Sequence, residues 1–133
     1  MLTVPEGWAR SSRAGAVTFT DKLNSITIQD VSASKAPTVA SARVREVPGV
    51  AKAASKFAMG NVISITRKAG TAILVTYQQD SAPDQVTGKV VRDAVERYEF
   101  WHAGQEAILT LTGPTNADNV DPWRIVSNSL HWV

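Results

Sequence analysis

The clearest signal along the chain is a change of hydrophobic period. From Ala16 to Thr20 the positions alternate, with Val17 and Phe19 on one side and Thr18 and Thr20 on the other. Ser25–Val31 alternates again, with Ile26 and Ile28 inward. Period-two alternation of this kind marks a half-buried strand, and the short Asp21–Asn24 turn predicts a hairpin. Before it, Leu2–Val4 reads as a short extended piece, and Pro5-Glu6-Gly7 turns the chain and places Trp8. From Thr38 to about Phe57 the pattern becomes alanine-rich with helical spacing at Val39, Ala42, Arg43 and Glu46. Thr38, after Pro37, has the hydroxyl an N-cap needs. Pro48-Gly49 is expected to break or kink this segment into two shorter helices.

Alternation then resumes. Asn61–Lys68 reads as a strand, Ala69-Gly70 as a tight turn, and Thr71–Gln79 as a strand apolar on both faces. Such a strand is expected to be covered on both sides. Asp80–Lys89 is a polar loop. Val91, Ala94, Val95, Tyr98 and Trp101 permit a helix, with Arg92/Glu96 and Asp93/Arg97 as i,i+4 pairs. A hairpin turning at Ala103-Gly104 fits better. It sets Phe100 opposite Ala107, Tyr98 opposite Leu109 and Glu96 opposite Leu111 on one face. The other face gathers Trp101/Glu106, Glu99/Ile108 and Arg97/Thr110. One apolar and one mixed face is what a hairpin over a core requires. After a loop over Gly113–Asn119, Asp121-Pro122 predicts a helix with Asp as N-cap and Pro at its first position. Trp123, Val126 and Leu130 carry its apolar stripe, and Leu130–Val133 forms an apolar tail. The expected fold is α+β, an antiparallel sheet of about six strands packed by helices in a single domain over 1–133.

Composition narrows the chemistry. The chain has 133 residues, 44% hydrophobic and 20% charged, so it has enough apolar side chains for one core and is not a disordered chain. It contains no cysteine, which excludes thiol catalysis, disulfides and cysteine-based zinc sites within this sequence. The net charge is +2, with ten bases against four acids in residues 1–68 and four against eight in 69–133. The bases are dispersed without interleaved aromatics, so no nucleic-acid partner is expected. Met1–Pro5 lacks the basic and apolar regions of a signal peptide.

Candidate sites are few. There is no G-x-S-x-G elbow, no phosphate-cradling glycine loop and no H-E-x-x-H. Asn116–Asp121 is oxygen-rich, but it lacks the glycine and terminal glutamate of a calcium loop. No metal and no cofactor is therefore expected. Trp8, Trp123 and Trp132 read as core. Trp101 falls on the mixed face beside Arg97 and Glu99, and an aromatic among charged groups is typical of binding surfaces. The candidate binding residues are Arg97, Glu99, Trp101 and, at the hairpin tip, His102. The alternative is a small acid/base enzyme of cupped α+β type. It would use Glu96 as base in an apolar pocket lined by Tyr98, Phe100 and Leu109.

Several segments carry a family resemblance. Val4-Pro5-Glu6-Gly7-Trp8, Val17-Thr18-Phe19-Thr20-Asp21, Glu96-Arg97-Tyr98 and the closing Asp121-Pro122-Trp123-Arg124-Ile125-Val126-Ser127-Asn128-Ser129-Leu130-His131-Trp132 resemble the PsbP-like α/β domain of actinobacterial cell-envelope lipoproteins. The resemblance implies an antiparallel sheet between helices, with a last strand carrying Trp132. It also implies a non-catalytic accessory or binding role toward a protein or small molecule. The sequence shows no long flat apolar edge strand, so a monomer or weak dimer is expected. The implied location is extracytoplasmic, with a leader, an anchoring cysteine and a membrane tether outside this sequence. A native start at Met1 would instead imply the cytoplasm.

Overall fold

The structure, a computed structural model, describes residues 2, 7–13, 15–21, 23–117 and 120–132. Strands β1 (Ala9–Arg13), β2 (Ala16–Asp21) and β3 (Asn24–Ser32) come first. A helical arm follows: α1 (Val39–Ser41), a π-helical stretch (Ala42–Glu46) and α2 (Val47–Ala53). Then come β4 (Ser55–Arg67), β5 (Gly70–Asp80), β6 (Arg92–His102), β7 (Gln105–Pro114) and α3 (Val120–Ser129). The strands make one open antiparallel sheet in the order β1-β2-β3-β7-β6-β5-β4. This is the α+β architecture expected from the sequence, with seven strands rather than six. No described helix is long and apolar enough to cross a membrane.

Alternation gives the sheet two cores. Ile26, Leu74, Tyr98, Phe100, Leu109 and Leu111 face α3, which contributes Trp123 and Val126 from one stripe, with Leu130 just beyond its end. On the opposite face Val62, Ile73, Val75, Tyr77 and Val95 meet Ala42 of the arm, with Val39, Val47, Val50 and Phe57 around them. Each large apolar side chain so buried contributes roughly 1.5–3 kcal/mol. β5 supplies both cores, which explains why its sequence is apolar on both faces.

The β6–β7 register is the one the sequence predicts, including Phe100↔Ala107, Tyr98↔Leu109 and Glu99↔Ile108. Ala103 and Gly104 both take positive φ, 49° and 83°. That handedness matches the twist of two strands joined by a two-residue loop.

Other expectations need correction. β1 was not anticipated: its Ala-Arg-Ser-Ser-Arg sequence has no apolar alternation, and it pairs antiparallel with β2 as an edge strand. The arm ends at Ala53, not near Phe57, and β4 begins at Ser55. Lys56 has φ 50°, and register shifts between Ser55 and Val62 let Phe57 pack against Tyr77 in a tilted pair with ring centroids 5.3 Å apart. Burial of Phe57 and Val62 outweighs the helical preference of the alanines. Thr38 does cap the arm, exchanging bonds with Ser41 at 3.0 and 2.8 Å. Pro48-Gly49 does not break the arm. Val47 N–H donates to the Ala42 carbonyl five residues back, and the widened turn ahead of Pro48 absorbs the missing donor.

Leu130–Trp132 is irregular rather than a strand. Trp132 donates from Nε1 to the Ala69 carbonyl at 3.3 Å. α3 starts at Val120, so Pro122 lies inside its first turn. Most of the Leu2–Glu6 segment, Lys22 of the first turn, Asp118-Asn119 and the Asp121 side chain with its expected cap lie outside the described residues.

Candidate functional site

The β6–β7 pleat decides which charged side chains share a face. Arg97, Glu99 and Trp101 point toward the arm side of the sheet, and Glu106 stands opposite Trp101. Arg97 donates from Nε to Glu99 Oε2 at 3.2 Å. The Glu99 side chain is 0% exposed, that of Arg97 20%. The arm brings a third carboxylate over these strands. Glu46 is the last residue of the π stretch, and its position follows from the widened turn before Pro48. Oxygens of Glu46, Glu99 and Glu106 all lie within 4.8 Å of one another. Glu46 Oε2 and Glu99 Oε1 are buried and accept no hydrogen bond.

This crowding changes the acids. Burial pushes the Glu99 carboxyl up from its ordinary 4.5 to about 7. Arg97 opposes that rise, and the nearby Glu46 and Glu106 add to it. Glu106 is also raised, first by burial and then by Glu46, with Arg97 again opposing. Three carboxylates facing one guanidinium cannot all ionise at ordinary cost in a low-dielectric seam.

Trp101 closes one end of this seam. It is half-buried, and its Nε1 donates to the Ala33 carbonyl at 2.8 Å. Ala33 N–H in turn donates to the Gly104 carbonyl at 2.9 Å, strapping the chain after β3 onto the hairpin end. Beyond the arm the same face continues over β7, β3 and β2 as hydroxyl rows. Thr110, Thr27 and Thr18 run in register from Arg97, with Thr112, Ser25 and Thr20 in the next row. These six are half-buried or exposed, and the Thr18 and Thr27 hydroxyls lie 3.1 Å apart.

Three of the four candidate binding residues therefore converge. His102 does not, because the pleat sends it to the opposite face, where it stacks on Trp132 at 5.5 Å. Two site residues were not singled out from sequence. Glu106 was available from the register, as the partner of Trp101. Glu46 had no local signal, since its place depends on how the arm docks.

Glu96 lies on the α3 side and accepts from Tyr98 Oη at 2.8 Å. Arg67 donates to Tyr98 Oη at 3.3 Å and to Ser127 Oγ at 2.9 Å. Burial, and next the bond to Glu96, push the Tyr98 phenol up. The pocket expected around Tyr98, Phe100 and Leu109 is filled, because all three are buried against Trp123, Val126 and Leu130. Glu96 instead borders an open cleft of about 420 Å³ with Met59, Thr76 and Trp123.

The whole architecture has a solved counterpart. This chain is similar in fold to PA94, a protein of unknown function from Pseudomonas aeruginosa. The TM-score is 0.64 at 15% identity, over 98% of this chain and 89% of that chain. At that identity the likeness concerns the fold alone and assigns no residue a role. No family model matches the chain, and no curated protein matches it.

Proposed function

We propose that the chain is a non-catalytic binding domain of an extracytoplasmic bacterial protein, engaging its ligand or partner on the arm side of β6 and β7. The observation that carries this reading is the convergence of Arg97, Glu99 and Glu106 from two strands with Glu46 from the arm. Ionisable groups held in a largely buried seam cost stability that apolar side chains of the same volume would not. Such costs concentrate where a protein binds something. Trp101 at one end and the threonine rows beside Arg97 give the seam a solvent-facing margin. The extracytoplasmic placement is supported by the resemblance of the Val4–Trp8, Val17–Asp21, Glu96–Tyr98 and Asp121–Trp132 segments to PsbP-like envelope domains.

Site-specific photo-crosslinking in the native cell tests the reading. A photoreactive residue is placed at Thr110, next to Arg97 in the register, and at Thr71 near the β4–β5 turn as the distant control. The expected result is a discrete adduct from position 110 that Arg97→Glu abolishes. Equal adducts from both positions, or none from 110, would reject it. Fractionation of the cells tests the location: the protein is expected with the envelope, and recovery in the cytosol alone contradicts that part.

A further inference from the structure

We propose that Glu46, Glu99 and Glu106 together hold one hard divalent cation of calcium size, which fastens the helical arm to β6 and β7. The inference deepens the binding reading above, since it names a ligand for that same seam. Three observations carry it, and they concern geometry, hydrogen bonding and charge separately.

The spacing suits ligands gathered around one hard cation. The three carboxylates offer oxygens within 4.8 Å of one another. Calcium bonds of about 2.3–2.6 Å place ligands on opposite sides of the ion roughly 4.6–5.2 Å apart. Magnesium, with bonds of about 2.0–2.1 Å, gives up its water reluctantly and is usually held by only one or two carboxylates, so a site offering three favours calcium. The donors are all carboxylate oxygens, which favour Ca²⁺ or Mn²⁺ over the softer metals that imidazole and thiolate select.

Hydrogen bonding gives the observation beyond mere clustering. Glu99 is completely buried, and Arg97 occupies only its Oε2. Its Oε1 has no partner, and neither has the buried Oε2 of Glu46. Buried polar atoms are nearly always paired, and a buried carboxylate oxygen left without a donor is costly. Both orphans belong to carboxylates of the cluster, and a cation held there is the partner proposed for them.

The charge also closes. Three carboxylates and the Arg97 guanidinium sum to −2, which one divalent ion neutralises. Arg97 holds Glu99 through Oε2 and leaves Oε1 without a donor. The remaining coordination positions fall to water, as six to eight ligands are usual for calcium. Glu46 comes from the arm while Glu99 and Glu106 come from the sheet, so the ion acts as a clamp between them.

The test uses the full chain, stripped with chelator and titrated with Tb³⁺, an ion of calcium's size. Trp101 is paired with Glu106 across β6–β7 and is the built-in sensitiser. The proposal expects saturable sensitised Tb³⁺ luminescence at one ion per chain, displaced by Ca²⁺ at lower concentration than by Mg²⁺. It also expects the unfolding midpoint to rise by roughly 5–10 °C in Ca²⁺ at a hundredfold excess over Kd. Glu99→Gln and Glu106→Gln, each checked for native circular dichroism, should weaken Tb³⁺ binding by about tenfold or more. Glu96→Gln, on the other face, should leave it unchanged. Absence of saturable luminescence with an unmoved midpoint overturns the proposal, and so do Gln variants that bind Tb³⁺ like the parent. A Thr110 adduct that persists in chelated protein lacking Tb³⁺ binding rejects the cation while leaving the binding reading standing.

Discussion

With divalent cations chelated, the domain should lose stability as pH rises through the neutral range, and Glu99 should be the main cause. Its carboxyl is raised from 4.5 to about 7, chiefly by burial. A carboxyl raised on folding holds its proton in the folded state where the unfolded chain has released it. Between about pH 4.5 and 7 the folded state therefore binds more protons, and stability falls as pH rises. The contribution is fully present below the lower value and fully lost above the higher one. A shift of that size, at 1.36 kcal/mol per unit, corresponds to a loss of up to about 3 kcal/mol. The groups facing Glu99 are Arg97 on its own strand, Glu106 on β7 and Glu46 on the arm. Glu106 is raised as well and adds a loss of the same sign. Urea denaturation from pH 5 to 8.5 measures the slope, in the parent and in Glu99→Gln. The Gln amide still accepts from Arg97 Nε but carries no charge. It should flatten the profile and leave the variant the more stable protein at pH 8. Parallel profiles for the two proteins would refute the reasoning, as would a parent whose stability rises across this range.

Three further outcomes follow from the packing. Gly60→Ala puts a Cβ 2.6 Å from the Thr76 carbonyl oxygen and against Thr76 Oγ1, which already accepts the Asn61 N–H. Chemical denaturation should show a loss of about 1–3 kcal/mol. Ala103→Asn relieves an alanine held at φ 49° in the β6–β7 turn, and thermal unfolding should register a gain of up to about 1 kcal/mol. Trp101→Ala removes the bond to the Ala33 carbonyl, so amide exchange at Ala33 should accelerate while the two cores keep their protection. Global loss of protection would instead make Trp101 part of the core.

The β6–β7 hairpin was legible because its two-residue turn leaves one register that collects Tyr98, Phe100, Ala107, Leu109 and Leu111 on one face. That same register carried most of the candidate site, since it places Arg97, Glu99, Trp101 and Glu106 together. His102 was misassigned by its place at the tip, although the pleat alone turns it away from Trp101. β1 left no trace because an exposed edge strand needs no apolar alternation. The end of the arm was hidden by Ala51, Ala53 and Ala54, whose helical preference yields to the burial of Phe57 and Val62 in β4. Glu46 was the hardest to find. Its position depends on Ala42, Val39, Val47 and Val50 docking the arm on β5 and β6, and on a π turn that shifts its place around the helix axis.

Crystals of the chelated protein grown with Ca²⁺, with anomalous data collected at long wavelength, probe the seam directly. One anomalous peak is expected between the arm and β6–β7, about 2.3–2.6 Å from an oxygen of each of Glu46, Glu99 and Glu106. An empty seam in which these carboxyls bond to one another through a shared proton, or calcium bound only elsewhere, would contradict it.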